Sequence, residues 1–250
     1  YDNLRNEIDP KLPKLFGKLA EAPYIIKAVE PFRAESMAAA QYFPGTPDGS
    51  RPGIFYVNTY DLPARPKWFM EALSIHEANP GHHFQISVAQ EVEELPAFRR
   101  FGARLAAGSF IEGWALYTEQ LADEMGLYRT PLERFGALET EAWRAARLVV
   151  DTGIHALRWT RQRSIELLVQ RAGLARLEAE TETDRYISWP GQALSYKVGQ
   201  LKIRAIRDKA EARLGDRFDV KAFHTEVLKD GAMPLSMLEE KIDRWVETQL

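Results

Sequence analysis

Three of the five histidines fall inside one short stretch, His76-Glu77-Ala78-Asn79-Pro80-Gly81-His82-His83, with a glutamate directly after the first. The chain has no cysteine, so a metal site in it must be built from His, Asp and Glu. The nearest chemical pattern is H-E-x-x-H. There, two imidazoles one helical turn apart share a zinc ion and the glutamate serves as general base on water. The spacing here differs. Position 80, where the second histidine would stand, is proline. On an unbroken helix His82 would lie ~240° around from His76, and His83 ~10.5 Å further along the axis. Neither could share a cation with His76. Pro80 removes the conflict, because it clashes with the carbonyl of His76 and pushes Asn79 out of helical geometry. Gly81 then permits a tight excursion. The insertion can loop out and return His82 to the His76 face. His82 is preferred to His83 on that count, with His83 packing or hydrogen-bonding beside the site.

A catalytic zinc with one open position needs a third protein ligand. The segment Ile111-Glu112-Gly113-Trp114-Ala115-Leu116-Tyr117-Thr118-Glu119 offers Glu112. Gly113 beside it would let a helix or the metal centre come close. Glu119, two turns on along the same face, could hold a ligand imidazole. Glu112 has a second reading: Ser109-Phe110-Ile111-Glu112 has the S-x-x-E form of a capping box, in which the glutamate returns to the backbone of Ser109. Asp151 and His155 are four apart and can pair on one helix face, or His155 can bind substrate. Tyr196 could donate to an oxyanion, or simply pack. Arg185 and Tyr186 are weaker versions of that case. His224 has no assigned role.

These groups must be positioned by the surrounding elements. Residues 2–19 read as helix interrupted near Pro10 and Pro13, and residues 24–29 as a β-prone run. Residues 44–53, rich in proline and glycine, form a loop. Residues 54–58 follow as a strand, either plain sheet or an edge that could take up an extended peptide. After Pro66 the pattern is helical throughout. Thr130-Pro131-Leu132-Glu133 is a second capping-box form, with proline at the first helical position. Pro190-Gly191 and Pro234 open later helices, and Gly126, Gly173 and Gly215 stand at helix ends. The expected fold is mostly α, a single domain over residues 1–250, with a small sheet near the N-terminal third.

The bulk composition excludes several classes. The 250 residues carry 33 basic and 36 acidic side chains, a net charge of −3, which gives no basic surplus for nucleic acid. No apolar run approaches the ~20 residues of a membrane span. Absence of cysteine fits cytoplasm or periplasm equally, so the compartment is open. Tyr1, within what reads as a helix, is expected to mark a fragment of a longer protein.

The segments at His76 to Gln85 and Glu112 to Glu119 resemble the bacterial domain-of-unknown-function family 885. Further matches are Gly49-Ser50-Arg51-Pro52-Gly53 with Asn58, Asp151-Thr152-Gly153-Ile154-His155, and Pro190-Gly191-Gln192-Ala193-Leu194-Ser195-Tyr196-Lys197. The resemblance implies a zincin-like helical catalytic domain with metallopeptidase activity, forming the C-terminal part of a protein about twice as long. It favours Glu112 as a ligand over the capping role. It also brings Asn58 and Gln192 beside His83, Glu119, Asp151 and Arg185 as candidates for supporting the ligands or binding substrate. The expected chemistry is Zn²⁺ on His76, His82 and Glu112, Glu77 as base, and Tyr196 or His155 steadying the oxyanion. The substrate would be a peptide or small amide, and the missing N-terminal part would be a partner. A metal-binding scaffold without turnover, or a hydrolase of a non-peptide ester or amide, is the competing expectation.

Overall fold

A computed structural model describes residues 1–102 and 107–250. Helix α1 (Asp2–Ile8) passes into a 3-10 turn over Asp9–Lys14, because Pro10 and Pro13 have no N–H to continue an α-helical ladder. Strand β1 (Tyr24–Ala28) follows, then the one-turn α2 (Pro31–Ala34), β2 (Ala40–Phe43) and β3 (Gly53–Val57). The sheet order is β1-β3-β2, with β3 parallel to β1 and antiparallel to β2. Residues 54–58 are therefore not an edge strand. Both sides of β3 are hydrogen-bonded, so it has no free ladder to offer a peptide. Tyr24, Tyr42 and Phe55 bury one face of this sheet against Ala78.

The remainder is helical, as the pattern after Pro66 implies. Two short helices, α3 (Met70–Glu77) and α4 (His82–Gln90), precede a π-helical turn at Phe98–Gly102. Then come α5 (Gly108–Met125), α6 (Pro131–His155), α7 (Arg161–Ala172), α8 (Arg176–Ser188), α9 (Ser195–Leu214), α10 (Val220–Leu228) and α11 (Leu235–Gln249). The fold is mostly α with a three-stranded sheet near the N-terminus. No described helix is long and apolar enough to cross a membrane.

Thr130 and Glu133 form a reciprocal capping box with Pro131 in the first turn of α6. Gly126 and Gly173 end α5 and α7 in left-handed geometry, at φ 70° and 72°. Ser109 does not cap. It lies inside the first turn of α5, whose N-cap is Ala107, and Glu112 turns instead toward two imidazoles. The crowding comes from α9, since a Cβ on Gly199 would sit 1.9 Å from the Ser109 carbonyl oxygen.

That crowding marks the central helix crossing. A Cβ on Gly113 would stand 2.4 Å from the Gly199 Cα, so the two backbones touch where α5 meets α9. Trp114, Tyr117 and Leu121 of α5 are fully buried around it. A polar chain ties this core together. Arg207 donates to the Tyr117 hydroxyl at 2.9 Å, and Tyr117 donates to His224 Nε2 at 2.9 Å. His224 Nδ1–H donates to the Leu15 carbonyl at 2.8 Å. Burial, helped by the nearby Arg207 charge, outweighs the Leu15 bond and moves the His224 pKa from 6.5 down to about 3.

Because the folded pKa is depressed, the stability contributed by neutral His224 is complete above about pH 6.5 and drains as pH falls toward about 3. Between pH 6.5 and 5.5 a single such group costs about 1 kcal/mol. Urea unfolding at the two pH values should show that loss reduced by about this amount in His224→Gln. An unchanged pH dependence in the variant would contradict the assignment.

Candidate metal centre

The cluster begins with a helix break. Helix α3 stops at Glu77, Ala78 leaves helical geometry at φ −101°, ψ −116°, and α4 restarts at His82. Gly81 lies so close to the end of α3 that a Cβ would fall 1.9 Å from the His76 carbonyl oxygen and 2.3 Å from that of Ile75. Its φ is −79°, so glycine is needed there for room rather than for left-handed backbone. The loop is pinned from outside: Trp114 Nε1 donates to the Pro80 carbonyl at 2.9 Å, and the Asn79 amide donates to Asp9 at 2.9 Å.

The result brings His76 and His82 together, ring centroids 4.8 Å apart and nearly perpendicular. Glu112 reaches in from α5. Its Oε2 is 3.2 Å from His82 Nε2 and 3.7 Å from His76 Nε2. One ligand atom from each residue lies within 4.8 Å of the others. Donors ~2.0–2.2 Å from one tetrahedral zinc stand about 3.3–3.6 Å apart, so these separations need only small movements. Glu112 Oε2 is buried, yet no described residue satisfies it with a hydrogen bond of acceptable geometry. Two imidazole nitrogens and one unsatisfied carboxylate oxygen form a donor set suited to a divalent cation.

Electrostatics favour the charged carboxylate. Burial alone would push the Glu112 carboxyl up, but His82 and His76 outweigh it and hold it well below the usual carboxylate range. Burial pulls His76 down, while Glu112 and Glu119 more than compensate and raise it.

Glu119 stands behind the first histidine. His76 Nδ1–H donates to Glu119 Oε1 at 2.7 Å, which fixes the tautomer and leaves Nε2 facing Glu112. Thr140 donates to Glu119 Oε2 at 2.8 Å, and the Arg144 guanidinium lies 3.2 Å from Oε1. Burial would raise this carboxyl too, but Arg144, His76 and Thr140 keep it below its ordinary value.

A second group of residues approaches Glu112 from α8, α9 and the 3-10 turn between them (Gln192–Leu194). Gln192 donates to Glu112 Oε1 at 3.2 Å and to the Tyr196 hydroxyl at 3.1 Å. Arg185 donates to Gln192 Oε1 at 2.6 Å and to the Tyr196 hydroxyl at 2.8 Å. The Tyr196 ring stacks on His76 with centroids 6.0 Å apart, and Arg147 covers it at 4.2 Å. Buried Glu182 pairs with both Arg147 and Arg185.

Other candidates face elsewhere. His83 turns toward the sheet, where Nδ1 meets the Tyr42 hydroxyl at 2.8 Å and the ring packs on Tyr24. Burial lowers its pKa to about 4. Asn58 donates to the carbonyls of Ala34, Met37 and Ala38, closing the turn between α2 and β2. Asp151 and His155 do not pair. Asp151 accepts from the Gly191 backbone, and His155 Nε2 meets the Tyr186 carbonyl at 2.9 Å. Helix α6 ends at His155, so its imidazole seeks the neighbouring end of α8 instead of its own upstream face. Tyr186 is buried and accepts from Trp143 and Arg147. Lys197 pairs with Glu141.

Sequence reasoning missed Thr140, Arg144 and Arg147. Their signal is visible afterwards: with Asp151 they recur along α6 at steps of four, three and four, a polar stripe one helical face wide. Such a stripe ordinarily faces solvent. Here it is buried against Glu119, Glu182 and the α8–α9 connection.

The family described as bacterial protein of unknown function (DUF885) matches residues 1–242. No curated protein matches the chain. A solved structure from Colwellia psychrerythraea, described as a putative lipoprotein, is 40% identical with a TM-score of 0.95, covering 99% of this chain and 42% of that one. Another from Shewanella oneidensis, described as a putative lipoprotein of unknown function, is 24% identical with a TM-score of 0.74, covering 96% and 45%. At that identity the second likeness is one of fold. The chain spans less than half the length of either protein.

Glu119→Gln should weaken zinc binding to the metal-stripped protein by about 10–100-fold without changing the number of ions bound, because the imidazole loses its charged anchor. Competition titration with a chromophoric chelator measures this, and wild-type affinity in a folded variant would contradict it.

Proposed function

We propose that this chain, which belongs to the bacterial family of unknown function DUF885, carries the catalytic centre of a zinc-dependent hydrolase that cleaves peptide bonds on a zincin-like helical scaffold. The observation that carries the reading is the convergence of His76, His82 and the unsatisfied Glu112 oxygen within 4.8 Å. Two histidines, a carboxylate and a glutamate adjoining the first histidine form the donor-and-base set that metallopeptidases use.

Under this reading His76 and His82 would hold the ion through Nε2, and Glu112 through Oε2. Gln192 occupies Glu112 Oε1, which leaves one carboxylate oxygen for the ion. When bound, zinc supplies Lewis-acid chemistry, acidifying water and polarising a carbonyl. Glu77 takes the proton from the attacking water and passes it to the leaving amine. Its placement supports that role: it is 8% exposed beside His76, and its carboxylate is in no hydrogen bond or ion pair with a described residue. Tyr196 steadies the oxyanion. Its hydroxyl already accepts from Arg185 and Gln192, so its own proton is left to donate. The positive charges of Arg185 at that hydroxyl and of Arg147 over the ring favour charge building up at the carbonyl oxygen.

Glu77→Gln should bind zinc as the wild type does and lose about 10²–10⁴-fold in turnover of a peptide library. Tyr196→Phe should lower kcat by about 10²–10³-fold with a smaller change in KM. Wild-type turnover in Glu77→Gln would remove Glu77 as the base.

A further inference from the structure

A cavity of about 290 Å³ opens between the loop after β2, helix α4, the turn at Phe98–Gly102 and the start of α5. It is close to the lower end of the range for small-molecule sites. Its apolar wall includes Phe43, Phe101 and Ile111, and its polar groups have one sign: Arg51, Arg99 and Arg100 line it with no acidic residue among them. Arg99 and Arg100 direct their guanidinium donors to the neutral backbone carbonyls of Asp230 and Gln90, and neither forms an ion pair with a described residue. The Asp230 carboxylate is engaged with Lys241 instead. The Arg51 side chain is exposed and forms no hydrogen bond or ion pair with a described residue. Gln85 also lines the cavity. It is 3% exposed, and neither Nε2 nor Oε1 of its amide has a partner among the described residues. A buried amide left unpaired is unfavourable unless a ligand or water satisfies it.

We propose that this cavity is a subsite for a peptide ligand's carboxylate, with Arg51 forming the ion pair and Gln85 donating from its amide. Arginine suits the task because its planar donor fork matches a carboxylate's two oxygens. The apolar wall seats the aliphatic part of the same residue. The subsite is built on two helices that also carry metal-cluster residues, since Gln85 is one turn after His82 on α4 and Ile111 immediately precedes Glu112 on α5. A carboxylate placed there is either the chain terminus or an acidic side chain of the peptide. The segment Gly49-Ser50-Arg51-Pro52-Gly53, which the metal cluster leaves without a task, thereby acquires one. The inference rests on the hydrolase reading for its substrate, but not for the binding event.

Calorimetry on the metal-stripped protein separates the two. The probes are N-acetyl-trialanine with a free carboxyl, its C-terminal amide, and the amide of N-acetyl-Ala-Glu-Ala. At least one carboxylate peptide should bind ten times more tightly than the neutral amide. Tighter binding by the free acid identifies a chain terminus, and by the glutamyl peptide a side chain. Arg51→Gln should abolish the preference and leave the neutral amide unchanged. Equal affinities for all three peptides, no binding by any, or a preference that survives Arg51→Gln would overturn the proposal. A protein that binds no zinc but still prefers the carboxylate would refute the hydrolase reading alone.

Discussion

A glycine without room for a side chain controls the geometry of the whole site. Gly81 presses against the last carbonyls of α3, and the chain can make that contact only by leaving helical geometry at Ala78 and restarting at His82. An unbroken helix would send the two imidazoles to different faces. The break turns a six-residue separation into two rings in edge contact. Everything else in the centre assumes that contact. Glu112 has two nitrogens to approach, Glu119 has one ring to orient, and Tyr196 has a surface on which to stack. Trp114 serves both sides of the arrangement. It belongs to the helix that delivers Glu112, and its indole N–H holds the loop through Pro80.

The polar groups around this point are buried, and buried charges are tolerated only when they are paired. The pairing is thorough on the Glu119 side, where a hydroxyl, a guanidinium and an imidazole share one carboxylate. It is equally thorough where Glu182 anchors Arg147 and Arg185. The gap lies at Glu112 Oε2, the atom that faces both histidines. Glu112 Oε2 and the nearby His82 Nδ1 are both buried without a hydrogen-bond partner among the described residues, and the first is an atom fit to hold a cation.

Much of this was legible in the sequence where the signal is local. Pro80-Gly81 between the histidines announced the break, Thr130-Pro131-Leu132-Glu133 the start of α6, and Gly126 and Gly173 two helix ends. Gly81 permits the tight excursion by leaving out a side chain for which the contact has no room. What the sequence hid depends on distant partners. Nothing in residues 54–58 says that β1 will pair on one side of them and β2 on the other. Ser109 has the form of a cap, but α9 crosses too closely there, and two imidazoles compete for Glu112. Asp151 and His155 are correctly spaced to pair, yet each meets a backbone group from the α8–α9 region instead. Arg144 and Arg147 carry no local signal of burial, because their acidic partners lie 25 and 35 residues away along the chain.

The most direct test is X-ray absorption spectroscopy at the zinc edge, with the ligand positions fixed by a crystal structure of the zinc-loaded protein. One ion should be found with two imidazole nitrogens, from His76 and His82, at ~2.0–2.1 Å and one carboxylate oxygen, from Glu112, at ~2.0–2.2 Å. An ion bound elsewhere, or coordinated without His82, would contradict this assignment.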